Sequence, residues 1–450
     1  MGILNKIFGT KTIQSETTPT LKHAKVVIAS FADNLKKNSG KQLFEIMQKN
    51  ELLDVAYYAD TLPASSLSID SKNLLEISDF GSRVFRKIPA DVIVVGHQEK
   101  DKLCINFITY GEYDDLSPKN WRVFDCLYLP LDLFEQQNKL MENTIINIIT
   151  GAILLCKKNI SPESKARKKN MLKNLIKFFE TDENIAKLPE YCMPYILNLL
   201  AAIYFAYAEE RIDKKSFDSI KIMLEDALRQ KDFLLKKIHI APIYLHIGML
   251  FDCVAQNMNI DSLACYKKAV QAYKLAQKYF VKQEYPYDYA QICCLCAKTY
   301  FAEWNYTENL DSLSSAISSL REAEKIYTEK TFPASWARLQ HELGYYLSLL
   351  GNYTGSPEVL NMAIQNMSNA QKVFYAQKYP FIWLDVQSDI GRVYYFMGKK
   401  YQDVESLHKA EKIFREALLV CESKNAENER RKLDIDISKT VELIYKMEKN

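Results

Sequence analysis

A 47-residue self-similarity constrains this chain more than any other feature. Pro286, Pro333 and Pro380 stand 47 residues apart, and the windows after them agree well past the prolines. Three residues on are Tyr289, Trp336 and Trp383; eleven on, Ala297, Gly344 and Gly391; fourteen on, Tyr300, Leu347 and Tyr394. Ala316, Ala363 and Ala410 keep the spacing, as do Ala323, Ala370 and Ala417. One period earlier lie Ala269 and Ala276, so a fourth unit precedes these three. Each unit reads as two helices. The proline falls in the first turn, where its missing N–H would have no helical partner anyway. Small residues such as Gly344 and Ala363 mark where helices approach closely. One helix pair cannot bury its apolar face, whereas stacked pairs share a continuous core. The units fall near 191–237, 238–284, 285–331, 332–378 and 379–425, the first of them degenerate, and 426–450 reads as a polar C-terminal capping helix.

Composition agrees with a helical array. Glycine, at 13 of 450 residues, is well under its usual share of about 7%, which disfavours folds built on tight turns. Lys+Arg total 59 against 56 Asp+Glu, so overall charge does not drive binding. No apolar stretch is expected to reach the roughly 18–20 residues of a membrane-crossing helix; the longest candidate, 145–156, is interrupted by Asn147 and Thr150. The first residues lack the apolar core and small-residue cleavage site of a secretory signal. Lys6 stands where a myristoylation motif wants Ser or Thr. Ten scattered cysteines form no disulfide framework, which points to a reducing cytoplasm.

Ahead of the repeats the pattern changes. Residues 1–22 are a flexible or amphipathic tail, with Ile3, Leu4, Ile7 and Phe8 on one helical face. Residues 2–8 could make a peripheral membrane contact, at the inner membrane of a bacterium, or dock on the body. Residues 23–135 alternate strand and helix signals. Strands are expected at 26–31, 53–59, 90–96, 103–108 and 122–131, with helices at 39–50 and 73–86, the second capped by Asp70 or Ser71, and a polar turn at 97–102. The order β-α-β-α-β-β-β makes a small two-layer α+β domain. Residues 136–190 are expected to form a helical linker. Its second helix opens at Pro162 and carries Lys165, Arg167, Lys168 and Lys169 in its first turns. Such a cluster is ordinarily a solvated face; otherwise it contacts an acidic partner or a phosphate backbone.

The opening strand Val26-Val27-Ile28-Ala29-Ser30-Phe31 and the strand-turn-strand of 90–107 resemble the amino-terminal domain of TolB, and similar domains that precede tetratricopeptide repeats in bacterial proteins. That resemblance implies a binding or assembly module. The repeats themselves resemble tetratricopeptide repeats. The family pattern L-G-x2-Y appears as Ile390, Gly391 and Tyr394, and with leucine last as Leu343, Gly344 and Leu347. A-x3-F-x2-A appears as Ala410, Phe414, Ala417 and as Ala269, Tyr273, Ala276. The usual period is about 34 residues. The added length is expected partly between the two helices, around residues 352–358, and partly near the proline, giving longer helices and a longer loop. Pro333-Ala334-Ser335-Trp336-Ala337 is similar to the opening of a long-repeat bacterial subgroup. The family resemblance puts groove positions on each first helix: Gln291, Cys294, Lys298 and Phe301; Arg338, His341, Tyr345 and Ser348; Asp385, Ser388, Arg392 and Tyr395. Lys298, Arg338 and Arg392, if exposed, would suit an acidic or C-terminal carboxylate ligand.

No nucleotide-binding, nucleophile-elbow or zinc-protease motif occurs. Cys293-x-x-Cys296 is the one metal-like spacing, and it lacks the second pair a structural zinc needs. His239 and His246 are seven apart with no third ligand, and Glu112, Asp114 and Asp115 read as a solvated acidic loop. The 28 tyrosines suit helix packing; without a basic stripe among them, nucleic acid is not an expected partner. No catalytic residue, metal or cofactor is implied. The expected protein is a cytoplasmic, bacterial, non-enzymatic adaptor that joins the α+β domain to a helical solenoid and binds a protein or peptide. The competing readings are a membrane-peripheral assembly factor, and an enzyme or sensor whose N-terminal domain takes a small ligand under control of the repeats.

Overall fold

Unbroken apolar runs suit strands covered on both faces, and the runs at 26–29 and 92–95 lie at the heart of a five-stranded sheet. The computed structural model describes residues 24–33, 38–63, 74–109, 127–131, 139–157, 161–208, 212–258 and 261–449. The tail 1–22, the cap at Asp70 or Ser71 and the acidic loop Glu112, Asp114 and Asp115 lie outside the described residues. Strands β1 (Ala24–Ser30), β2 (Leu53–Thr61), β3 (Val92–Glu99), β4 (Lys102–Thr109) and β5 (Leu127–Pro130) run in the order β2-β1-β3-β4-β5. β1 pairs parallel with β2 and β3, while β4 pairs antiparallel with β3 and β5. Helix α1 (Ser39–Met47) starts at Asn38, whose side chain accepts from the Gly40 and Lys41 N–H groups. Helix α2 (Leu74–Lys87) lays Phe80 and Val84 on Val27, Ala29, Ile93, Val95 and Ile108. The turn expected at 97–102 is shorter. His97 and Glu99 stay in β3, paired with Cys104 and Lys102, and the reversal is confined to Lys100, with φ 60°, and Asp101.

The helical stretch that follows the sheet supplies core. Helix α3 (Lys139–Cys156) buries Ile145, Ile148, Ile149 and Ile153, and α4 (Pro162–Thr181) buries Leu172, Leu175 and Phe179. Two helix pairs follow, α5 (Met193–Ala208) with α6 (Lys214–Arg229) and α7 (Ile240–Asn257) with α8 (Ser262–Gln277). The sheet and these helices form one compact unit that ends at Ile292. The sequence expectation on apolar stretches needs correction. The segments Glu190–Ala208 and Lys237–Asn257 are long and apolar enough to cross a membrane by length and composition, and 78% and 72% of them is buried inside the protein. They are core helices here, and scattered polar residues break their apolar runs.

The second unit begins at Cys293, inside α9 (Pro286–Thr307). It continues with α10 (Leu310–Glu324), α11 (Pro333–Thr354), α12 (Pro357–Gln371), α13 (Pro380–Tyr401), α14 (Val404–Lys424) and α15 (Glu427–Glu448). First helices start at residues 286, 333 and 380 and second helices at 310, 357 and 404, so both series repeat at 47. From α10 onward each helix packs on the next, and α11 also meets α13, as α13 meets α15. The fold class is therefore a small mixed-sheet domain followed by a solenoid of helical repeats. The longer loop expected around 352–358 is absent. α11 runs to Thr354, Gly355 turns the chain at φ 68°, and Ser356 caps α12. The added length sits in first helices of 22 residues and in the connection 372–379.

Candidate functional site: the first-helix face of the repeats

The start of each first helix is set by an aromatic pair that the sequence pattern contained unnoticed. Phe280 and Tyr285, Tyr327 and Phe332, and Phe374 and Tyr379 meet edge to face, with centroids 5.9, 5.6 and 5.3 Å apart. The second ring of each pair precedes a proline, where backbone is held out of the helical region. Its carbonyl accepts the first helical N–H, as Phe332 O does from Trp336 N at 2.8 Å and Tyr379 O from Trp383 N at 2.9 Å. The signal was legible: aromatic residues recur at 280, 327, 374 and at 285, 332, 379 with the same period.

Small residues then bring the helices of a pair together. A Cβ on Gly344 would sit 2.6 Å from Met367 Cγ, and one on Gly391 would run into the Phe414 ring. Ala297, Ala363, Ala370, Ala410 and Ala417 are fully buried. Trp336 packs against the cluster around Phe374, and Trp383 against the one around Phe414. A buried glutamine ties neighbouring helices at each step. Gln340 donates to Glu324 at 2.7 Å and accepts from Asn369 at 3.3 Å. One period on, Gln387 accepts from Gln371 at 2.6 Å and donates to Glu416 at 3.2 Å. Cys293 holds the same register in α9, which explains half of the Cys293-x-x-Cys296 spacing as a repeat position. Both cysteines are buried, burial pushes the neighbouring Cys294 thiol well above its ordinary range, and no metal-ligand grouping exists among the described residues.

On the outer side of the first helices runs a ladder of charge pairs. Lys298 Nζ of α9 lies 3.2 Å from Glu342 of α11. His341 Nε2 of α11 lies 3.0 Å from Asp389 Oδ2 of α13. Arg392 of α13 donates to Asp389 at 3.0 Å and to Asp436 of α15 at 3.2 Å. Glu342, Asp389 and Asp436 are one position in successive repeats, as are Lys298, Tyr345 and Arg392. The expectation of open cations is thereby corrected in part: Arg392 is exposed, but both it and Lys298 meet carboxylates within the chain, and Arg338 is half-buried and engaged.

Tyr345 is the exposed aromatic of this face, at 38% exposure. It stands edge to face on Phe301 at 5.8 Å, and Phe301 stacks on Tyr346 at 4.4 Å and on Trp304 at 5.5 Å. Among the remaining candidates Gln291, Ser388 and Tyr395 are half-buried, Asp385 is exposed, and the Ser348 hydroxyl is turned back onto Tyr345 O at 2.7 Å. The histidines once paired by spacing serve different contacts. His239 Nδ1 meets the Tyr195 hydroxyl and His246 Nδ1 the Asn198 carbonyl oxygen, each at 2.6 Å.

No family model matches the chain, and neither does any curated relative. Solved structures are similar, among them two repeat proteins. One is a circular tandem repeat protein with novel repeat topology and enhanced subunit contact surfaces: 11% identity, 71% of this chain and 87% of that one covered, TM-score 0.26. The other is a signal-transduction ATPase with numerous domains that carries a tetratricopeptide repeat sensor, from Pyrococcus horikoshii: 15% identity, 88% and 70% covered, TM-score 0.32. The repeat architecture of the present chain stands on its own helix register.

Proposed function

We propose that this chain is a non-enzymatic, cytoplasmic protein-interaction scaffold, built on tetratricopeptide repeats of a 47-residue bacterial type. In this reading the N-terminal sheet domain is a TolB-like binding or assembly module. The observation that carries the reading is the recurrence of one surface position after another on α9, α11 and α13, locked in step by the ladder from Lys298–Glu342 to Arg392–Asp436. A rigid face that repeats at a fixed step suits a peptide or helix laid across it. Because its cations are already paired, the face favours an apolar or aromatic anchor seated beside Tyr345 and Phe301 over a ligand held by its carboxylate.

Tyr345 is the informative position to change. Removing Arg392 would leave Asp389 and Asp436 facing each other and would disturb the stack itself. A pulldown with mass spectrometry should compare the full-length chain with Tyr345→Ser, with helicity and Tm as folding controls. Loss of a protein partner from a variant of unchanged helicity is the expected result. A partner kept equally by both chains would move binding away from this face. The absence of any protein partner would return the sensor and membrane readings.

A further inference from the structure

The chain has a second surface on which several cations, unlike those of the first-helix face, make no ion pair among the described residues. Residues 157–177 hold eight Lys or Arg and a single acid, Glu163, whereas the whole chain is net +3, so everything outside this segment is net negative. Most of these cations lie on α4. Its apolar stripe, Met171, Leu172, Leu175, Ile176 and Phe179, is buried, which fixes how the helix is rotated. Lys165, Lys169, Lys173 and Lys177 follow one another at four-residue steps, a row about 18 Å long at about 1.5 Å per residue. Lys165, Arg167, Lys173 and Lys177 are exposed and make no ion pair among the described residues. Lys169 lies 5.9 Å from the centre of the Tyr207 ring, and Lys168 is turned back to Lys157 O at 3.2 Å. On α9, α11 and α13, by contrast, Lys298, His341 and Arg392 each meet a carboxylate.

We propose that the exposed side of α4 is a docking surface for an acidic protein segment that offers about one carboxylate per helical turn. The row of side chains selects among polyanions. Between the lysines of the row the other exposed residues are Ala166, Arg167, Asn170 and Asn174, so no large apolar group is offered for insertion into a bilayer. One arginine among the exposed cations gives little capacity for bidentate reading of bases. Four phosphate contacts make a short and strongly salt-sensitive footprint for a nucleic acid. Glu180, Asp182 and Glu183 close the row at its far end, which confines the tract to about three turns of helix. That length matches a short acidic helix or tail.

The test uses fluorescence polarisation of a labelled peptide of sixteen residues or so with glutamate at every fourth position, against the full-length chain. Its counterpart has glutamine in place of glutamate. The variant carries Lys165→Gln, Lys169→Gln, Lys173→Gln and Lys177→Gln; the pair Lys165→Gln/Lys173→Gln serves if the fourfold change lowers Tm. The expected result is binding of the glutamate peptide alone, weakened by about tenfold or more in the variant and by raised salt. Tyr345→Ser should leave it unchanged, which separates this surface from the first-helix face. No binding of the glutamate peptide, or equal binding by wild type and variant, overturns the proposal. So does tighter binding of an oligonucleotide or of phosphatidylserine vesicles that the variant abolishes, since the surface would then belong to phosphate or membrane.

Discussion

Adding one methyl group at Gly344 sets helix propensity against packing. Gly344→Ala in a helix interior ordinarily stabilises by about 0.8–1.0 kcal/mol. Here the new Cβ would lie 2.6 Å from Met367 Cγ, 2.9 Å from Ala363 O and 3.1 Å from Met367 N, against 3.4–4 Å for ordinary contact. Met367 Cγ can swing aside, but the other two are backbone atoms of α12, so the helices must part by roughly 0.5–1 Å. Overpacking of this kind costs about 1–3 kcal/mol. The balance is a net loss of about 1 kcal/mol, opposite in sign to propensity alone. Gly81→Ala in α2 is the control, because its Cβ would meet only Ile108 Cγ2 at 3.3 Å and Phe85 at 3.8 Å; it should be neutral or stabilising. Urea unfolding followed by circular dichroism gives the sign, and hydrogen exchange read by mass spectrometry gives the location, since repeat arrays open locally. Protection should fall in α11 and α12. A Gly344→Ala chain as stable as wild type, or lost protection elsewhere, would refute the close-approach account.

The contact of the sheet with Lys236 and His239, just before α7, carries two acid-side predictions. Burial works to raise the Glu99 carboxyl, but the Tyr128 hydroxyl at 2.6 Å and Lys236 at 3.4 Å outweigh it and hold the group below its ordinary 4.5. The resulting stability is complete above pH 4.5 and is lost as pH falls toward the folded value, so Tm of Tyr128→Phe should fall less steeply below pH 4.5 than that of wild type; equal slopes would remove Glu99 from the account. His239 is the opposite case: burial first, then Lys236, lowers its imidazole from 6.5 to about 3, with Glu99 opposing. The unfolded chain takes up a proton below pH 6.5 that the folded chain refuses, so stability declines from pH 6.5 toward 3. His239→Phe, packed between Tyr128 and Tyr195, should lower Tm at neutral pH and flatten that decline, and an unchanged slope in a thermal melt series would contradict the assignment.

The repeat was legible because its signals are local. Pro286, Pro333 and Pro380 each open a helix whatever lies around them, since the first turn needs no N–H from that residue. The apolar runs at 26–29 and 92–95 likewise suit no other element so well. The first-helix face was legible only as a set of positions. Its electrostatics misled: Arg392 reads as an open cation until α15 brings Asp436 to it. The loop expected at 352–358 is also absent. Asn352, Tyr353 and Thr354 are exposed and carry no strong helix signal, yet α11 continues through them until Gly355 turns the chain at φ 68°, a left-handed position that glycine takes at no steric cost.

Helix and strand identity, the 47-residue step and the small residues at close approaches are properties of neighbours along the chain, and they follow from period, propensity and steric size. Whether a charge is spent or available is not a local property. Arg392 and Asp436 stand 44 residues apart and meet only after an intervening second helix returns the chain to the same face. Lys165, Lys173 and Lys177 of α4 stay exposed because burying Leu172, Leu175 and Phe179 rotates them outward, and they make no ion pair among the described residues. Coulomb energy falls with distance through space, and distance through space is set by packing.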